Sequence, residues 1–246
     1  MLTLSLLRNS TLRLLFQQLP KKITTECGSE KLLKEKVEAS GDPNYIEFLP
    51  SWNPDEEVDL RADVSRHMRV IPDFVNETEE AALLADVEPK LKRMRYEYDH
   101  WDNAIEGYRE TERDSWSPLC SEVLSRVRRL FPAGASLLPQ VHVLDLAAAG
   151  HIKPHIDAVR FCGNTIAGLC LLSSAVMRLT HEKKPHIQLD ALLERRALYI
   201  MSGVARYEFS HAVLGGEHSF FRGKRVIRGR RVAVICREQP DKSTSG

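Results

Sequence analysis

Six short segments with the residue pattern of β-strands follow one another after Pro139, and no long helical pattern separates them. Joined by short turns that contain Gly, Ser or Pro, the predicted strands are residues 141–146, 165–172, 176–180, 196–201, 206–213 and 230–237. Strands packed this densely along a chain bury their apolar faces against one another, as in a sandwich or a barrel. This part of the sequence therefore predicts a sandwich or barrel.

Two helical patterns precede these strands, and the helices can cover one sheet face. Asn76 is placed to cap the first helix, with Glu79 three residues later as its capping-box partner. Ser117 is the cap of the second, and Pro118 its first helical residue. The two apolar stripes are Ala82, Leu83, Val87 and Leu91, then Leu119, Val123, Val127, Leu130 and Phe131. Ordered structure is expected to begin near Val70.

The N-terminal region differs in composition from the rest. Before Glu26 the chain contains Arg and Lys but no acid, which is typical of a mitochondrial presequence; the alternative is a frayed N-terminal helix. Residues 26–64 are charged and interrupted by Gly and Pro, which predicts a flexible linker. The expected organisation is a presequence at 1–25, a linker at 26–64, a folded domain at 65–240 and a tail at 241–246.

Charge and cysteine usage exclude several classes of protein. The net charge is only +1, so no overall field draws the chain to nucleic acid or to an anionic membrane. The five cysteines are scattered and form no Cys-x-x-Cys pair, which argues for a reducing compartment and against a zinc ribbon. The sequence has no apolar run long enough for a membrane span.

His155, Asp157 and His211 form a candidate metal site. His155 and Asp157 are two residues apart at a strand end and therefore face the same side, while His211 lies in another predicted strand. Two imidazoles and one carboxylate are the ligand set that suits non-haem Fe(II). The alternative for the His-x-Asp pair alone is a solvated turn.

Arg231 and Arg237 are candidates for binding a carboxylate. They are six residues apart on one predicted strand and so point to the same face. Arginine matches a carboxylate with two parallel hydrogen bonds, although a pair of arginines can also simply bracket a strand in solvent. Ala233 lies between them and leaves space for a small dicarboxylate. Tyr199 is a candidate hydroxyl donor, with an ordinary core position as the alternative.

The stretch from His151 to Arg237 resembles the catalytic jelly roll of the AlkB family of Fe(II)- and 2-oxoglutarate-dependent dioxygenases. Four segments resemble its mitochondrial members in particular, namely RYEYDHWD at 95–102, VHVLDL at 141–146, IKPHID at 152–157 and FCG at 161–163. The likeness extends over residues 68–240. It implies an α+β fold, a double-stranded β-helix (jelly roll) with covering N-terminal helices, so that residues 65–240 are an AlkB-like dioxygenase domain.

The resemblance also implies the site and its cofactors. Fe(II) would be held by His155, Asp157 and His211, and 2-oxoglutarate would be bound by Tyr199, Arg231 and Arg237, with dioxygen as the second co-substrate. The implied location is the mitochondrial matrix. The family resemblance further implies roles in alkylation-induced programmed necrosis and in fatty-acid metabolism.

Two departures from the family's nucleic-acid-repairing members bear on the substrate. Those members carry Asn-x-Tyr where this chain has Leu144-Asp145-Leu146, and an Asn where it has Ala233. The resemblance also implies a reduced base-gripping lid. We therefore expect hydroxylation of a protein substrate, without activity on duplex DNA. Demethylation of methylated mitochondrial RNA is the alternative enzyme function, and a regulatory binding protein with a vestigial iron site is the non-enzyme alternative, against which the intact triad argues.

Two further segments could contact nucleic acid. The aromatic residues of the first could stack on bases or could pack between the helices and the sheet; they are Tyr96, Tyr98, His100, Trp101, Tyr108 and Trp116. The second is the basic run at 220–230, which is either a local phosphate-binding patch or a solvated hairpin.

Overall fold

The computed structural model of the protein describes residues 40–99 and 103–240. The predicted presequence, residues 26–39 of the predicted linker and the tail at 241–246 lie outside the described residues. His100 and Trp101 of the aromatic segment do so as well.

The described residues form twelve strands and four α-helices, with a short 3-10 helix at Pro43–Tyr45. The helices are α1 (Val58–His67), α2 (Glu77–Leu91), α3 (Pro118–Arg128) and α4 (Gly203–Tyr207). The strands are β1 (Ile46–Phe48), β2 (Met68–Ile71), β3 (Ile105–Arg113), β4 (Val141–His155), β5 (Ile166–Leu171), β6 (Ala175–His181), β7 (Gln188–Leu193), β8 (Leu198–Met201), β9 (Phe209–Val213), β10 (Phe220–Phe221), β11 (Lys224–Arg225) and β12 (Arg231–Arg237).

The long strand β4 connects two layers of antiparallel strands. Strands are hydrogen-bonded in the order β1-β7-β6-β9-β4-β12-β5-β8-β2, and β3 also pairs with β4. The first half of β4 pairs with β12, and its last residues pair with β9. One strand therefore belongs to both layers, as expected for a double-stranded β-helix, and the predicted fold class is confirmed.

Two apolar cores lie on opposite faces of the layer that contains β12. The interior core includes Leu144, Tyr199 and Ala233 together with residues of β6, β7 and β9. The helix-side core includes Val143 and Val234 together with the apolar stripes of α2 and α3. Because strand side chains alternate between faces, the odd-numbered residues of β12 point to the interior and the even-numbered ones point to the helices.

The two predicted helices are confirmed, with one difference at their caps. The Asn76 side chain accepts a hydrogen bond from the Glu79 N–H, and the Glu79 carboxylate accepts one from the Asn76 N–H, both at 2.9 Å. This is the complete capping box. Ser117 occupies the cap position of α3, but its side chain makes no capping bond.

The predicted flexible linker is wrong for residues 40–64, which are part of the folded domain. β1 pairs with β7 in register, and Trp52 is almost fully buried in the interior core. The Gly and Pro residues that suggested disorder instead lie at turns between short elements. The apolar residues Phe48, Trp52 and Val64 are too widely spaced to give a periodic signal.

The strand predictions also need correction. The short strands β1, β2, β10 and β11 and the longer strands β3 and β7 were not predicted, and the strand predicted at 141–146 extends to His155. The segment predicted as one strand at 206–213 contains the end of α4 followed by β9. The sequence of β3, IEGYRETER, is rich in charged residues because several of its side chains bond to charged or imidazole partners on neighbouring segments. Apolar alternation is therefore absent from this strand.

Candidate active site

His155 and His211 are directly opposite each other across β4 and β9, and Asp157 follows the end of β4 by two residues. One potential ligand atom from each of the three residues lies within 4.8 Å of the other two. The Nε2 atoms of His155 and His211 are 3.7 and 3.9 Å from the two carboxylate oxygens of Asp157. The structure thus brings the three predicted ligand residues together.

Hydrogen bonding and burial orient the two imidazoles of this cluster. The Nδ1 atom of His155 is 2.9 Å from the Lys153 carbonyl, which can only accept, so Nδ1 carries a proton and Nε2 is the ring nitrogen turned toward Asp157. Burial lowers the pKa of His211 to about 4, so its imidazole is neutral at pH 7. Neutral imidazoles are the form in which histidine binds a metal.

Opposing influences act on the pKa of Asp157, and together they favour its ionised form. Burial by itself would raise the pKa of Asp157, but its interactions with His155, His211 and Arg206 outweigh burial and lower that pKa below its usual range. Two imidazoles and one carboxylate, with Nε2 atoms turned toward the carboxylate, fit a divalent iron ion.

Arg231 lies on the interior face of β12 and is only 2% exposed. Its Nη2 atom donates to the sulfur of Cys170 at 3.3 Å, and its Nε atom has no hydrogen-bond partner among residues 40–99 and 103–240. Ala233, two residues later, faces the same interior. A buried guanidinium with an unused donor beside a small residue can accept a carboxylate from a ligand.

Tyr199 lies in the same interior, over Gly168 of the neighbouring strand. The two residues are opposite each other across β8 and β5, and a Cβ atom at position 168 would lie 2.4 Å from the Tyr199 ring. Burial raises the pKa of Tyr199, so its hydroxyl keeps its proton and can donate. Gly168 was missed by sequence reasoning, although a glycine inside an apolar strand is a sign of close approach.

Arg237 differs from the other predicted co-substrate residues. It lies at the end of β12 and donates to the Glu112 carboxylate on β3 at 2.6 Å. Its side chain is 19% exposed. The structure therefore places Arg237 on the strand that carries Arg231 and Ala233, but with a partner from the chain itself.

The two positions where repair members carry polar residues are apolar on the interior face. Leu144 and Leu146 belong to the interior core, whereas Asp145 between them points to the helix side. Unlike the Asn and Tyr of the repair members, Leu144 and Leu146 of β4 have no amide or hydroxyl group to contact a ligand. Tyr199 provides a hydroxyl elsewhere in the same interior.

Arg206 and Cys162 lie near the metal-ligand candidates and were also missed. Arg206 is fully buried, and its Nη2 atom is 3.2 Å from the Cys162 sulfur. Arg206 falls in a segment predicted to be a strand, where nothing in the sequence distinguishes it from an exposed arginine.

The chain is similar to curated proteins along most of its described length. It is 53% identical over 173 residues to "Alpha-ketoglutarate-dependent dioxygenase alkB homolog 7, mitochondrial" of Bos taurus, which covers 70% of this chain and 78% of the relative. The protein of the same name from Mus musculus is 54% identical over the same shares. No family model matches the chain.

Solved structures show the same fold at low sequence identity. The structure of OsALKBH1 has a TM-score of 0.53 and 12% identity, covering 70% of this chain and 97% of its own. A prolyl-4-hydroxylase of Pseudomonas putida has a TM-score of 0.51 and 14% identity, covering 74% and 98%. A prolyl hydroxylase of Trichoplax adhaerens has a TM-score of 0.53 and 11% identity, covering 90% and 98%.

The sequence comparison decides the family, and the fold and the clustered His-Asp-His site agree with it. Both curated relatives are named as mitochondrial and as dependent on alpha-ketoglutarate, which is 2-oxoglutarate. The chain therefore belongs to the AlkB homologue 7 family of alpha-ketoglutarate-dependent dioxygenases.

Proposed function

We propose that this enzyme acts in the mitochondrial matrix and hydroxylates a carbon atom of a protein side chain, with 2-oxoglutarate and dioxygen as co-substrates. His155, Asp157 and His211 would hold Fe(II). Bound iron supplies the redox chemistry that couples oxidative decarboxylation of 2-oxoglutarate to oxidation of a C–H bond. The family-implied roles in alkylation-induced programmed necrosis and fatty-acid metabolism would follow from the identity of the protein that is hydroxylated.

The interior residues of β12 and β8 would bind the co-substrate. Arg231 would bind the far carboxylate of 2-oxoglutarate through its fork of N–H groups, and Ala233 leaves the space for it. Tyr199 would donate its hydroxyl to the same carboxylate. Arg237 is the next candidate for an anionic contact, which would require it to leave Glu112.

Most arginines of the basic run at 222–231 form hydrogen bonds within the protein. This observation supports the proposal that duplex DNA is not the substrate. Arg230 bonds to two carboxylates, Arg228 donates to the carbonyls of Leu214 and Gly150, and Arg222 donates to the Ile46 carbonyl. Lys224 and Arg225 are the exposed cations left without such a bond in this run, within the described part of the chain. Duplex binding depends on many simultaneous phosphate contacts, which this surface does not offer.

RNA demethylation is the second candidate, and one surface feature favours it. Tyr98 and Phe220 are 65% and 46% exposed, and the β10–β11 pairing places Phe220 opposite the exposed Arg225. An exposed ring beside a cation can stack on an unpaired base and contact its phosphate. Trp116 packs, partly buried, against the helix-side core, as the packing alternative expects, whereas Tyr108 is buried in the interior core rather than between the helices and the sheet.

A product-resolved assay separates these functions. The Fe(II)-reconstituted protein is offered mitochondrial protein extract, methylated mitochondrial RNA and N-methylated duplex DNA, each with 2-oxoglutarate and oxygen. We expect a +16 Da protein product and no formaldehyde from duplex DNA. His155→Ala or Asp157→Ala should abolish succinate release while leaving the fold intact. Efficient demethylation of the duplex by the unmutated enzyme would reject the proposal, and formaldehyde from RNA alone would favour the second candidate.

The matrix location has a separate test. A fluorescent fusion of residues 1–30 should enter mitochondria, because that segment carries basic residues and almost no acid. Arg8→Glu combined with Arg13→Glu should keep the fusion in the cytosol. Cytosolic fluorescence of the unmutated fusion would contradict the presequence assignment.

A further inference from the structure

Arg206 on α4 is a buried cation whose guanidinium lies 5.0 Å from the Tyr207 ring centroid, but which has no carboxylate in direct contact among the described residues. Its side chain is fully buried, and within the described part of the chain it donates hydrogen bonds only from Nη2, to the sulfur and the carbonyl oxygen of Cys162, at 3.2 and 3.4 Å. Among the described residues its Nε and Nη1 atoms have no partner, and no carboxylate forms an ion pair with it within 4.0 Å. Such a charge is costly to bury, so a function is needed to explain it.

Arg206 connects the two segments that carry the metal-ligand candidates. α4 leads directly into β9, which contains His211, and Cys162 lies in the loop between Asp157 and β5. A second hydrogen bond, from the Gly203 N–H to the Asn164 side-chain oxygen at 3.0 Å, joins the same helix to the same loop. The loop after Asp157 is thus fixed to the helix before His211 at two points.

The helix itself is held in place by the N-terminal part of the domain. The Ser202 N–H donates to the His67 carbonyl at 2.9 Å, and a Cβ atom at position 203 would collide with the His67 ring. Because α4 is anchored to α1, it offers a fixed support against which the loop can be held.

We propose that Arg206 is a positioning residue of the metal site, which holds the loop of Asp157 against α4 so that Asp157 and His211 keep the spacing that a divalent ion requires. This inference rests on the proposed ligand roles of His155, Asp157 and His211. It assigns Arg206 no contact with substrate or co-substrate.

The charge of Arg206 and its hydrogen-bonding fork would have opposite effects on metal affinity, and this difference makes the proposal testable. A cation near the site repels a divalent ion, so an arginine that acted through its charge alone would weaken metal binding, and its removal would tighten it. An arginine that acts through its fork would, when replaced, weaken metal binding whether or not the charge is kept. Arg206→Met removes both the charge and the fork, whereas Arg206→Lys keeps the charge and loses the fork.

The experiment measures Co²⁺ binding to the full chain, by titration of its visible absorption well below the unfolding temperature. We expect both variants to raise the Kd for Co²⁺ about tenfold or more, which corresponds to about 1.4 kcal/mol. Hydrogen exchange in residues 156–165 should become faster in both. Because a buried charge without a charged partner is itself costly, replacing it by an apolar residue of similar length removes that cost, and Arg206→Met should keep its fold. Unchanged Co²⁺ affinity in the two variants, or tighter binding in Arg206→Met, would overturn the proposal.

Two controls distinguish this proposal from the ligand assignment and from general destabilisation. Arg126→Met removes an arginine that links Glu79 to α3 on the helix side, far along the chain from the ligands, and should leave Co²⁺ affinity unchanged. An equal loss of affinity in that variant would also overturn the role of Arg206. His155→Ala should abolish tight Co²⁺ binding. If His155→Ala still binds Co²⁺ tightly, the ligand assignment is rejected. If His155→Ala loses Co²⁺ binding while both Arg206 variants keep it in full, only the positioning role of Arg206 is rejected.

Discussion

Arg230 and Arg231 are neighbours in sequence, but they lie on opposite faces of the sheet and satisfy their charges differently. On the helix side, Arg230 donates to Asp145 at 2.8 Å and to Glu88 at 2.6 Å. On the interior side, Arg231 is 2% exposed and donates to the sulfur of Cys170. The hydrogen bonds to carboxylates raise the pKa of Arg230 further above its ordinary value.

The difference separates charges that are neutralised within the fold from a charge that has no carboxylate partner among the described residues. Asp145 is completely buried and also accepts from Arg109 at 2.7 Å and from the Tyr96 hydroxyl at 3.2 Å, so the arginines of the helix-side cluster have carboxylate partners within the protein. The interior arginine lacks a carboxylate partner from the described chain. We infer that the first group stabilises the domain and the second binds an anion.

The largest effect on stability is expected when the helix-side cluster loses its central carboxylate. Asp145→Ala would leave the largely buried Arg109 without its charged partner and Arg230 with Glu88 alone. Breaking a buried pair by removing one member costs about 3–5 kcal/mol. Urea denaturation at constant pH measures this loss. A change below about 1 kcal/mol, typical of exposed ion pairs, would show that solvent already compensates these charges.

On the interior side the largest contribution to stability is expected to be apolar. Trp52 is 1% exposed, stacks on Phe209 at 6.3 Å between ring centroids, and donates its indole N–H to the Glu56 carbonyl. Trp52→Ala should lower the free energy of unfolding by about 3–5 kcal/mol, because it opens a cavity in the core.

The exposed Phe220 provides the control for this substitution. Phe220→Ala should change the free energy of unfolding by less than about 0.5 kcal/mol, because that ring contributes little to a core. Equal effects of the two substitutions would contradict the inclusion of residues 40–64 in the folded domain.

Trp52 also shows why part of the fold could not be predicted from the sequence. The strands after Pro139 and the helices at 77–91 and 118–128 have periodic apolar patterns, because each buries one whole face. Residues 40–64 bury single side chains such as Trp52 at irregular intervals, and β1 is only three residues long. Such a segment is ordered by partners distant in sequence, which local periodicity does not reveal.

The candidate site, like the fold, could be predicted only in part from the sequence. The sequence predicts that His155 and Asp157 share one face and that His211 joins them from another strand. The structure brings the three residues together, although Asp157 lies two residues beyond the end of β4. Gly168 and Arg206 gave weaker signals. Their significance comes from the Tyr199 ring and the Cys162 loop that the fold places beside them.

A pair of lysine substitutions tests whether the two faces have separate roles. Arg231→Lys should raise the KM for 2-oxoglutarate about ten- to a hundredfold, since it loses a charge-assisted contact worth about 1.5–3 kcal/mol. It should leave the free energy of unfolding nearly unchanged. Arg230→Lys should do the reverse, lowering stability with little effect on KM. Succinate release and urea denaturation of both variants provide the measurements.

The same two variants can contradict the comparison. If Arg231→Lys left the KM unchanged, the co-substrate anchor would have to be elsewhere, and Arg237 would be the next residue to substitute. If Arg230→Lys raised the KM as much as Arg231→Lys, the helix-side cluster would be part of the binding site and the division between the two faces would fail.

The smallest expected effect concerns the helix layer that covers the Arg230 side of the sheet. Asn76→Ala removes one of the two reciprocal bonds of the capping box at the start of α2 and should cost about 1 kcal/mol. Ser117→Ala should cost less than half as much, because the Ser117 side chain makes no capping bond and its N–H is held by the Asp86 carboxylate at 2.8 Å. Both residues look like caps in the sequence, so equal losses in urea denaturation would mean that cap identity, rather than the observed bonds, determines the stability of this layer.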